Sequence, residues 1–235
     1  MPIGFDNLPL NTNLVVGIPM FEGVGTLAHD QAKPHFTMTL TGAPAWAQLV
    51  APLAEMTVLD FNEATPDFME ASAIATGNLD FMGQSFSMAA WVRVDDFSND
   101  HYLWERGLLN TDGYYWYIDQ NGALMFVTNQ GTPANQATYS VAGHIALNTW
   151  YLVGMSRNAG SVRLYKNGLD ITDGAAATHT DPSTATRKLH FGVDTAEGVA
   201  NAFAGRAKYP RIWERELISP EHWAMFEMER WAFQV

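Results

Sequence analysis

The sequence of 235 residues contains no cysteine. This absence excludes disulfide bonds, zinc sites built from thiolates and catalysis by a cysteine nucleophile. No stretch approaches the roughly 20 apolar residues that a membrane-spanning helix needs. The chain starts at a methionine and lacks the basic and apolar segments of a secretion signal, so we expect a complete chain made without such a signal.

Basic residues are few relative to acidic ones. The chain has 13 lysines and arginines against 25 aspartates and glutamates, which gives a net charge of −12. Because this charge repels phosphate backbones and anionic membranes, the composition argues against nucleic acid as a partner. The 47% of apolar residues is enough for a folded core, which excludes global disorder.

Helical patterns are rare before the C terminus, and extended patterns dominate. About a dozen short apolar runs, separated by turns rich in Gly, Asn, Asp, Ser and Thr, predict strands. In 86–94 the residues alternate, so we expect one face to be formed by Phe86, Met88, Ala90, Val92 and Val94. The Asn167-Gly168 pair, between two alternating runs, predicts a hairpin with a type I′ turn.

The last segment predicts a helix. Ser219 is a suitable N-cap, and Pro220 and Glu221 suit the first turn. An apolar stripe of Trp223, Phe226 and Trp231 is expected to pack against the strands. Together the patterns predict an all-β fold, an antiparallel two-sheet β-sandwich of the jelly-roll type with a short C-terminal helix. We divide the chain into an N-terminal arm, 1–12, and one domain, 13–235.

Motifs for catalysis are absent. The sequence has no phosphate-binding loop with lysine, no Gly-x-Ser-x-Gly and no His-Glu-x-x-His, and the glycines in 23–28 are not followed by a helical pattern. A sugar-cleaving site needs two acids on one face about 5–10 Å apart. Three pairs of acids lie close together in the sequence, and none fits. Asp67 and Glu70 are three positions apart, so a strand would place them on opposite faces. Asp95 with Asp96 lies where a strand passes into a loop, and Glu214 with Glu216 flanks the last helix. The sequence therefore predicts no catalytic residues and no enzyme.

Calcium is an open alternative. It takes carboxylate and carbonyl oxygens from loops. The formally suitable residues are Glu22, Asp30, Asp67, Asp112 and Asp194. None belongs to a ligand run such as Asp-x-Asn-x-Asp-Gly, so we predict no metal site and no cofactor, while a structural calcium is possible but not indicated.

Aromatic residues cluster between positions 101 and 119. Strand alternation divides the four rings at 114–117 into two pairs on opposite faces, so at least one pair lies in the core. The pairs are Tyr114 with Trp116 and Tyr115 with Tyr117. An exposed ring stacks on the apolar face of a sugar, whereas a buried ring fills volume. The candidate ligand-binding residues are Trp104, Tyr114 and Trp116, with core packing as the alternative.

Several segments, taken in order, resemble the laminin-G-like, concanavalin A-like lectin and glucanase superfamily of jelly-roll domains. These segments are LVVGIPMFEGVGTLAHDQ, FTMTLTGAPAW, VLDFNEATPDFMEA, FSMAAWVRV, GHIALNTWYLVGMSR, VRLYKNG, LHFGV and NAFAGRAKYPRIWERELISPEHW, over about 13–226. The resemblance implies a two-sheet jelly roll without intrinsic catalysis. This chain has Ala207-Lys208-Tyr209 where the family often has two aspartates, and a short HDQAKPHF loop. Both departures argue against calcium held at the rim.

The resemblance implies adhesion, glycan recognition or an outward-facing role on a larger assembly. Our main hypothesis is a virion structural protein, such as a phage capsid decoration or fibre component. Its arm, 1–12, and one sandwich face would contact a capsid or sister subunits in a homo-oligomer. It would lie on the virion surface, or otherwise outside the cell or at the cell surface. The alternative is a lectin-type carbohydrate-binding module, and a glucanase or lyase is disfavoured by the missing acid pair.

Overall fold

Two stacked antiparallel sheets and a C-terminal helix make up the fold. The computed structural model describes residues 8–33, 35–51, 54–81, 83–129, 135–175, 178–180, 186–194 and 201–235. In these residues, seventeen strands form the two sheets, and helix α1 (Ser219–Glu229) follows the last strand. The predicted all-β sandwich with a short C-terminal helix is therefore confirmed.

The smaller sheet has eight strands. Their order from one edge is β14 (Leu169–Asp170), β13 (Ser161–Lys166), β12 (Trp150–Asn158), β7 (Phe86–Val94), β17 (Gly205–Trp213), β5 (Ala54–Phe61) and β4 (Ala45–Ala51), and β1 (Leu14–Gly17) also pairs with β17. The first part of β17 pairs with β5 and its last part with β1. This change of partner places the middle of β17 at an irregular part of the sheet.

The larger sheet has nine strands. Their order is β15 (Thr172–Ala175), β11 (Gln136–Ser140), β10 (Leu124–Thr128), β9 (Asp112–Ile118), β8 (His101–Leu108), β16 (Leu189–Phe191), β6 (Phe68–Ala71), β3 (Thr37–Thr41) and β2 (Leu27–His29). The main apolar core lies between the two sheets and takes side chains from both.

Strand β7 is buried on both faces. The predicted face of Phe86, Met88, Ala90, Val92 and Val94 lies in the main core. On the other face, Ala89 and Trp91 belong to a second core beneath α1. The Trp91 ring stacks on Phe233 with 3.9 Å between ring centroids. The strand therefore carries apolar residues on both faces because a sheet covers one and the C-terminal segment covers the other.

The hairpin predicted from Asn167-Gly168 is confirmed. Both residues have positive φ, 51° and 78°, as a type I′ turn requires. Lys166 and Leu169 are direct partners across the turn, so β13 and β14 are joined by two residues. The hairpin lies next to α1, because a Cβ added at Gly168 would lie only 2.6 Å from the Cα of Trp223.

The predicted C-terminal helix is confirmed, but its N-cap is Ile218 and not Ser219, and its predicted apolar stripe is only partly correct. Phe226 is buried, whereas Trp223 and Trp231 are about half exposed. The face that packs on the sheet is formed by His222, Met225 and Phe226. The Glu221 carboxylate accepts the Ile218 N–H at 3.0 Å, which satisfies a backbone donor at the start of the helix.

The described part of the predicted arm, 8–12, lies against the sandwich. Leu10 accepts a hydrogen bond from Trp213 Nε1 at 2.7 Å, and Thr12 accepts one from Arg215 Nε at 2.8 Å. Residues 1–7 lie outside the described residues, and the division at residue 12 stays a prediction. Among the residues that the structure describes, no helix has both the length and the apolar character needed to cross a bilayer.

Candidate functional site

The three predicted ligand-binding rings lie in the core. Trp104, Tyr114 and Trp116 point between the two sheets and are almost completely buried. A ring without an open face cannot stack on a ligand. The structure therefore corrects the prediction and assigns these side chains to packing.

Three other aromatic residues of β8 and β9, Tyr102, Tyr115 and Tyr117, form a cluster on the outer face of the larger sheet. The ring of Tyr102 lies 5.4 Å from that of Tyr115 and 5.2 Å from that of Tyr117. Tyr102 and Tyr115 are only 8% exposed. Burial raises the pKa of Tyr115 to about 12, so its phenol is neutral at physiological pH. These rings pack on each other and do not form an open platform.

Two glutamates from different strands share this outer face. Glu70 of β6 lies opposite His190 of β16, which lies opposite Glu105 of β8. His190 Nε2 is 3.6 Å from Glu70 Oε2. Local spacing could not predict this row, because its members are far apart in the sequence. Since Glu105 and His190 are buried, they do not form an open catalytic site in this conformation, and the lack of catalysis stays a prediction.

The acidic residues considered as calcium ligands accept hydrogen bonds from the protein. Asp30 Oδ1 accepts the N–H groups of Gly17 and Ala32, at 2.7 and 2.9 Å. The others bond similarly: Glu22 with His29, Asp67 with Ala43 and Asn62, Asp112 with Arg187, and Asp194 with Asn201. Within the described ranges, no group of three or more histidine and acidic side chains could hold a metal ion. For the whole chain, the lack of a metal site stays a prediction.

An open groove of about 550 Å³ lies beside the C-terminal helix. Its walls come from the arm residues 8–11, the segment 17–21 after β1, the middle of β17 and the second half of α1, with Gln31 beside them. The apolar side chains of the lining are Leu8, Pro9, Leu10, Ile18, Pro19, Phe21, Ala224 and Met228. A concave, mostly apolar site with a few polar groups is typical of a ligand-binding pocket.

Two backbone irregularities place a pair of aromatic rings in this groove. The register between β17 and β7 shifts after Lys208, and Tyr209 has a φ of 51°. Met20 also has a positive φ, 55°, and Phe21 next to it is 57% exposed. The rings of Phe21 and Tyr209 meet edge to face, with 5.9 Å between centroids. We call this pair the aromatic corner.

Lys208 is buried behind the aromatic corner. Its Nζ donates to the carbonyl oxygen of Met20 at 2.7 Å. The same atom lies 4.5 Å from the ring centroid of Phe21 and 4.9 Å from that of Tyr209. Lys208 therefore connects the two irregular segments, and its protonated form makes cation–π contacts with both rings.

An ion pair also lines the groove. Arg211 Nη1 and Nη2 donate to the two carboxylate oxygens of Glu229, at 2.7 and 2.8 Å. Glu229 Oε2 also accepts the Trp91 indole N–H at 2.7 Å. Since Arg211 lies on β17 and Glu229 on α1, this pair fixes the helix against the sheet.

Sequence reasoning missed the groove because its parts are distant in the chain. Phe21 lies in a segment that carries the family resemblance, and Tyr209 lies in a departure from the family pattern. One local signal was available. Pro210 lies inside a strand pattern, and proline within a sheet indicates a bulge or an edge.

Lys208 is expected to make stability depend on pH. Burial lowers the pKa of its ammonium group from 10.5 to about 7, although the nearby Glu22 raises it. The unfolded chain therefore binds a proton that the folded chain releases, so the contribution of this group to the free energy of unfolding rises from about pH 7 towards pH 10. Urea denaturation at pH 7 and pH 9 measures this rise.

In Lys208→Met the increase between pH 7 and pH 9 should be smaller than in the unchanged protein. The control is Lys188→Met, which removes a half-exposed lysine directly before β16. An equal pH dependence in all three proteins would contradict the assignment to Lys208.

A family model described as the concanavalin A-like lectin/glucanases superfamily matches residues 68–221. The chain belongs to this superfamily. The family resemblance read from the sequence is therefore confirmed. Within this concanavalin A-like chain, β17 with its bulge and the first turn of α1 lie in the matched region, whereas Phe21 and the arm precede it. No curated protein sequence matches the chain significantly.

Solved structures share the concanavalin A-like fold. The binding domain of botulinum neurotoxin serotype C1 is 16% identical with a TM-score of 0.71, and the match covers 93% of this chain and 53% of that one. The binding domain of Paraclostridial Mosquitocidal Protein 1 is 14% identical with a TM-score of 0.72, covering 93% and 53%. A third structure belongs to botulinum neurotoxin type C, a toxin whose cell entry depends upon interaction with two ganglioside molecules. It is 16% identical with a TM-score of 0.69, and the match covers 93% of this chain and 52% of that one.

At these identities the likeness shows the fold alone. The chain spans about half the length of the structures that it matches. The activities of the complete toxin domains are therefore stated for those proteins alone.

Proposed function

We propose that the protein is a non-catalytic recognition domain that binds a glycan in the groove beside α1. The observation that carries this proposal is the exposed ring of Phe21 in a groove of about 550 Å³. An aromatic ring with an open face stacks on the apolar face of a sugar. Lys208 and Tyr209 hold this ring from behind, so it is positioned before a ligand arrives.

Polar groups beside the aromatic corner suit the hydroxyl groups of a sugar. Gln31 has an exposed side chain with an amide that can donate and accept, and Asn11 provides a second amide. A site with an apolar wall and a few amide groups can contact both the apolar face of a sugar and its hydroxyl groups. The lectin-like superfamily to which the chain belongs supports a glycan as the ligand class.

The test is a glycan array followed by calorimetric titration of the tightest glycan. Phe21→Ala should weaken binding by about tenfold or more, because the stacking surface is lost. Since Phe21 is largely exposed, the variant should fold normally. The control is Ile74→Ala, which removes an exposed apolar side chain outside the groove.

Ile74→Ala should bind like the unchanged protein. If no glycan binds at millimolar concentration, or if Phe21→Ala binds as tightly as the unchanged protein, the proposed function is wrong.

The role of a virion structural protein docked on a capsid or on sister subunits stays a prediction, as does a place on a virion surface. Residues 8–11 of the predicted arm form a wall of the groove, so movement of the arm on docking would change the ligand site. Adhesion through glycans and attachment through the arm would then occur at the same end of the domain.

A further inference from the structure

The groove contains one cation and one anion, and they are paired. Among the described residues that line it, Arg211 and Glu229 are the charged side chains. Both terminal nitrogens of the Arg211 guanidinium bind the Glu229 carboxylate, and its Nε donates to the Tyr209 carbonyl oxygen at 3.2 Å. All three guanidinium nitrogens therefore have acceptors within the protein.

This pairing determines what Arg211 can offer to a ligand. Arginine binds carboxylates through two parallel N–H donors, which is the arrangement that an acidic sugar requires. Here Glu229 already occupies that position. The ion pair is mostly buried, with 14% and 22% of the two side chains exposed, so a ligand carboxylate would have to displace a shielded partner.

The charge of the protein and a contact of Glu229 also disfavour an acidic ligand. The net charge of −12 disfavours the approach of any anion. Glu229 is also fixed by the Trp91 indole N–H, which limits its freedom to rotate away from Arg211.

We propose that the groove takes neutral sugars and rejects acidic ones, and that Glu229 determines this specificity by occupying Arg211. This inference rests on the proposed function, since it names the class of glycan that the same groove binds. Phe21 supplies the stacking surface, and the neutral ion pair supplies the discrimination. An acidic sugar of equal size is rejected because its carboxylate finds no free cation in the groove.

Replacing Glu229 by glutamine tests the role of this residue. Glutamine keeps the length of the side chain and one carbonyl oxygen as an acceptor, but it loses the negative charge. The Arg211 guanidinium then carries an uncompensated charge beside the ligand. Glu229→Gln should therefore gain binding to acidic glycans by about tenfold or more.

The experiment uses glycan pairs that differ only by a terminal sialic acid, with lactose and 3′-sialyllactose among them. For the unchanged protein, we expect the neutral member to bind at least about tenfold more tightly than its sialylated partner. In Glu229→Gln this preference should fall by about tenfold or more, through tighter binding of the sialylated member. The control is Glu227→Gln, which makes the same charge change on the same helix outside the groove.

The outcomes separate the two proposals. Tighter binding of sialylated members by the unchanged protein overturns the neutral specificity but leaves glycan recognition in place. An equal gain in Glu229→Gln and Glu227→Gln assigns the effect to net charge and overturns the role of Glu229. Binding of neither member by any variant counts against the proposed function itself. If Glu229→Gln does not fold, the comparison on the unchanged protein still decides the specificity.

Discussion

Replacing Trp116 by alanine is expected to lower the free energy of unfolding by about 3–5 kcal/mol. The indole is fully buried between the sheets, where it lies beside Trp104 on β8 and Phe126 on β10. Its removal leaves a cavity that surrounding strands cannot fill, because both neighbours are held in the sheet by backbone hydrogen bonds. Urea denaturation followed by circular dichroism measures the change.

The control is Trp231→Ala, which removes the same side chain from a position where it is 56% exposed. This variant should lose about 1 kcal/mol or less, because little apolar surface is returned to water. If Trp116→Ala keeps its stability but loses glycan binding, Trp116 is a ligand residue after all and the structural correction is wrong. Equal effects at both positions would also contradict the buried placement.

The sandwich could be predicted because its signals are local. The alternation in 86–94 correctly separated the core face of β7 from the face beneath α1. The Asn167-Gly168 pair identified a two-residue turn, since both residues tolerate the positive φ that it requires. Periodicity and turn chemistry each depend on residues that are close in sequence, so both are visible without the structure.

The ligand rings could not be assigned by the same reasoning. Alternation shows that Tyr114 and Tyr115 lie on opposite faces of β9, but it does not show which face meets the other sheet. Both faces of this strand carry aromatic residues, and both are covered in the structure. Without a polar face to mark the outside, the choice between the two pairs was undetermined.

The groove depends on contacts that sequence spacing does not contain. Phe21, Tyr209 and Met228 come from three distant segments, and only the folded chain brings them together. The predicted packing of Trp223 and Trp231 on the strands is wrong for a related reason. The spacing of Trp223 and Trp231 suggested packing, but the adjacent His222 and Phe226 already fill the contact with the sheet.

Replacing Gly113 by alanine is expected to destabilise the domain by about 3 kcal/mol or more. Gly113 has a φ of 71°, and an added Cβ would lie 2.5 Å from the Cα of Gly107 on the partner strand and closer still to the Arg106 carbonyl oxygen. Both obstacles are backbone atoms, so no side chain can rotate away. Relief requires β8 and β9 to separate where they exchange hydrogen bonds, which also disturbs the tyrosine cluster on the outer face.

A matched control separates the steric clash from the cost of the backbone angle. Gly143 has a similar φ of 80°, but an added Cβ would meet no atom within 4 Å. Gly143→Ala should therefore cost only about 1 kcal/mol, the penalty for a left-handed alanine. The difference between the two variants in urea denaturation measures the contact between the strands. Equal losses would mean that β8 and β9 lie further apart than the structure places them.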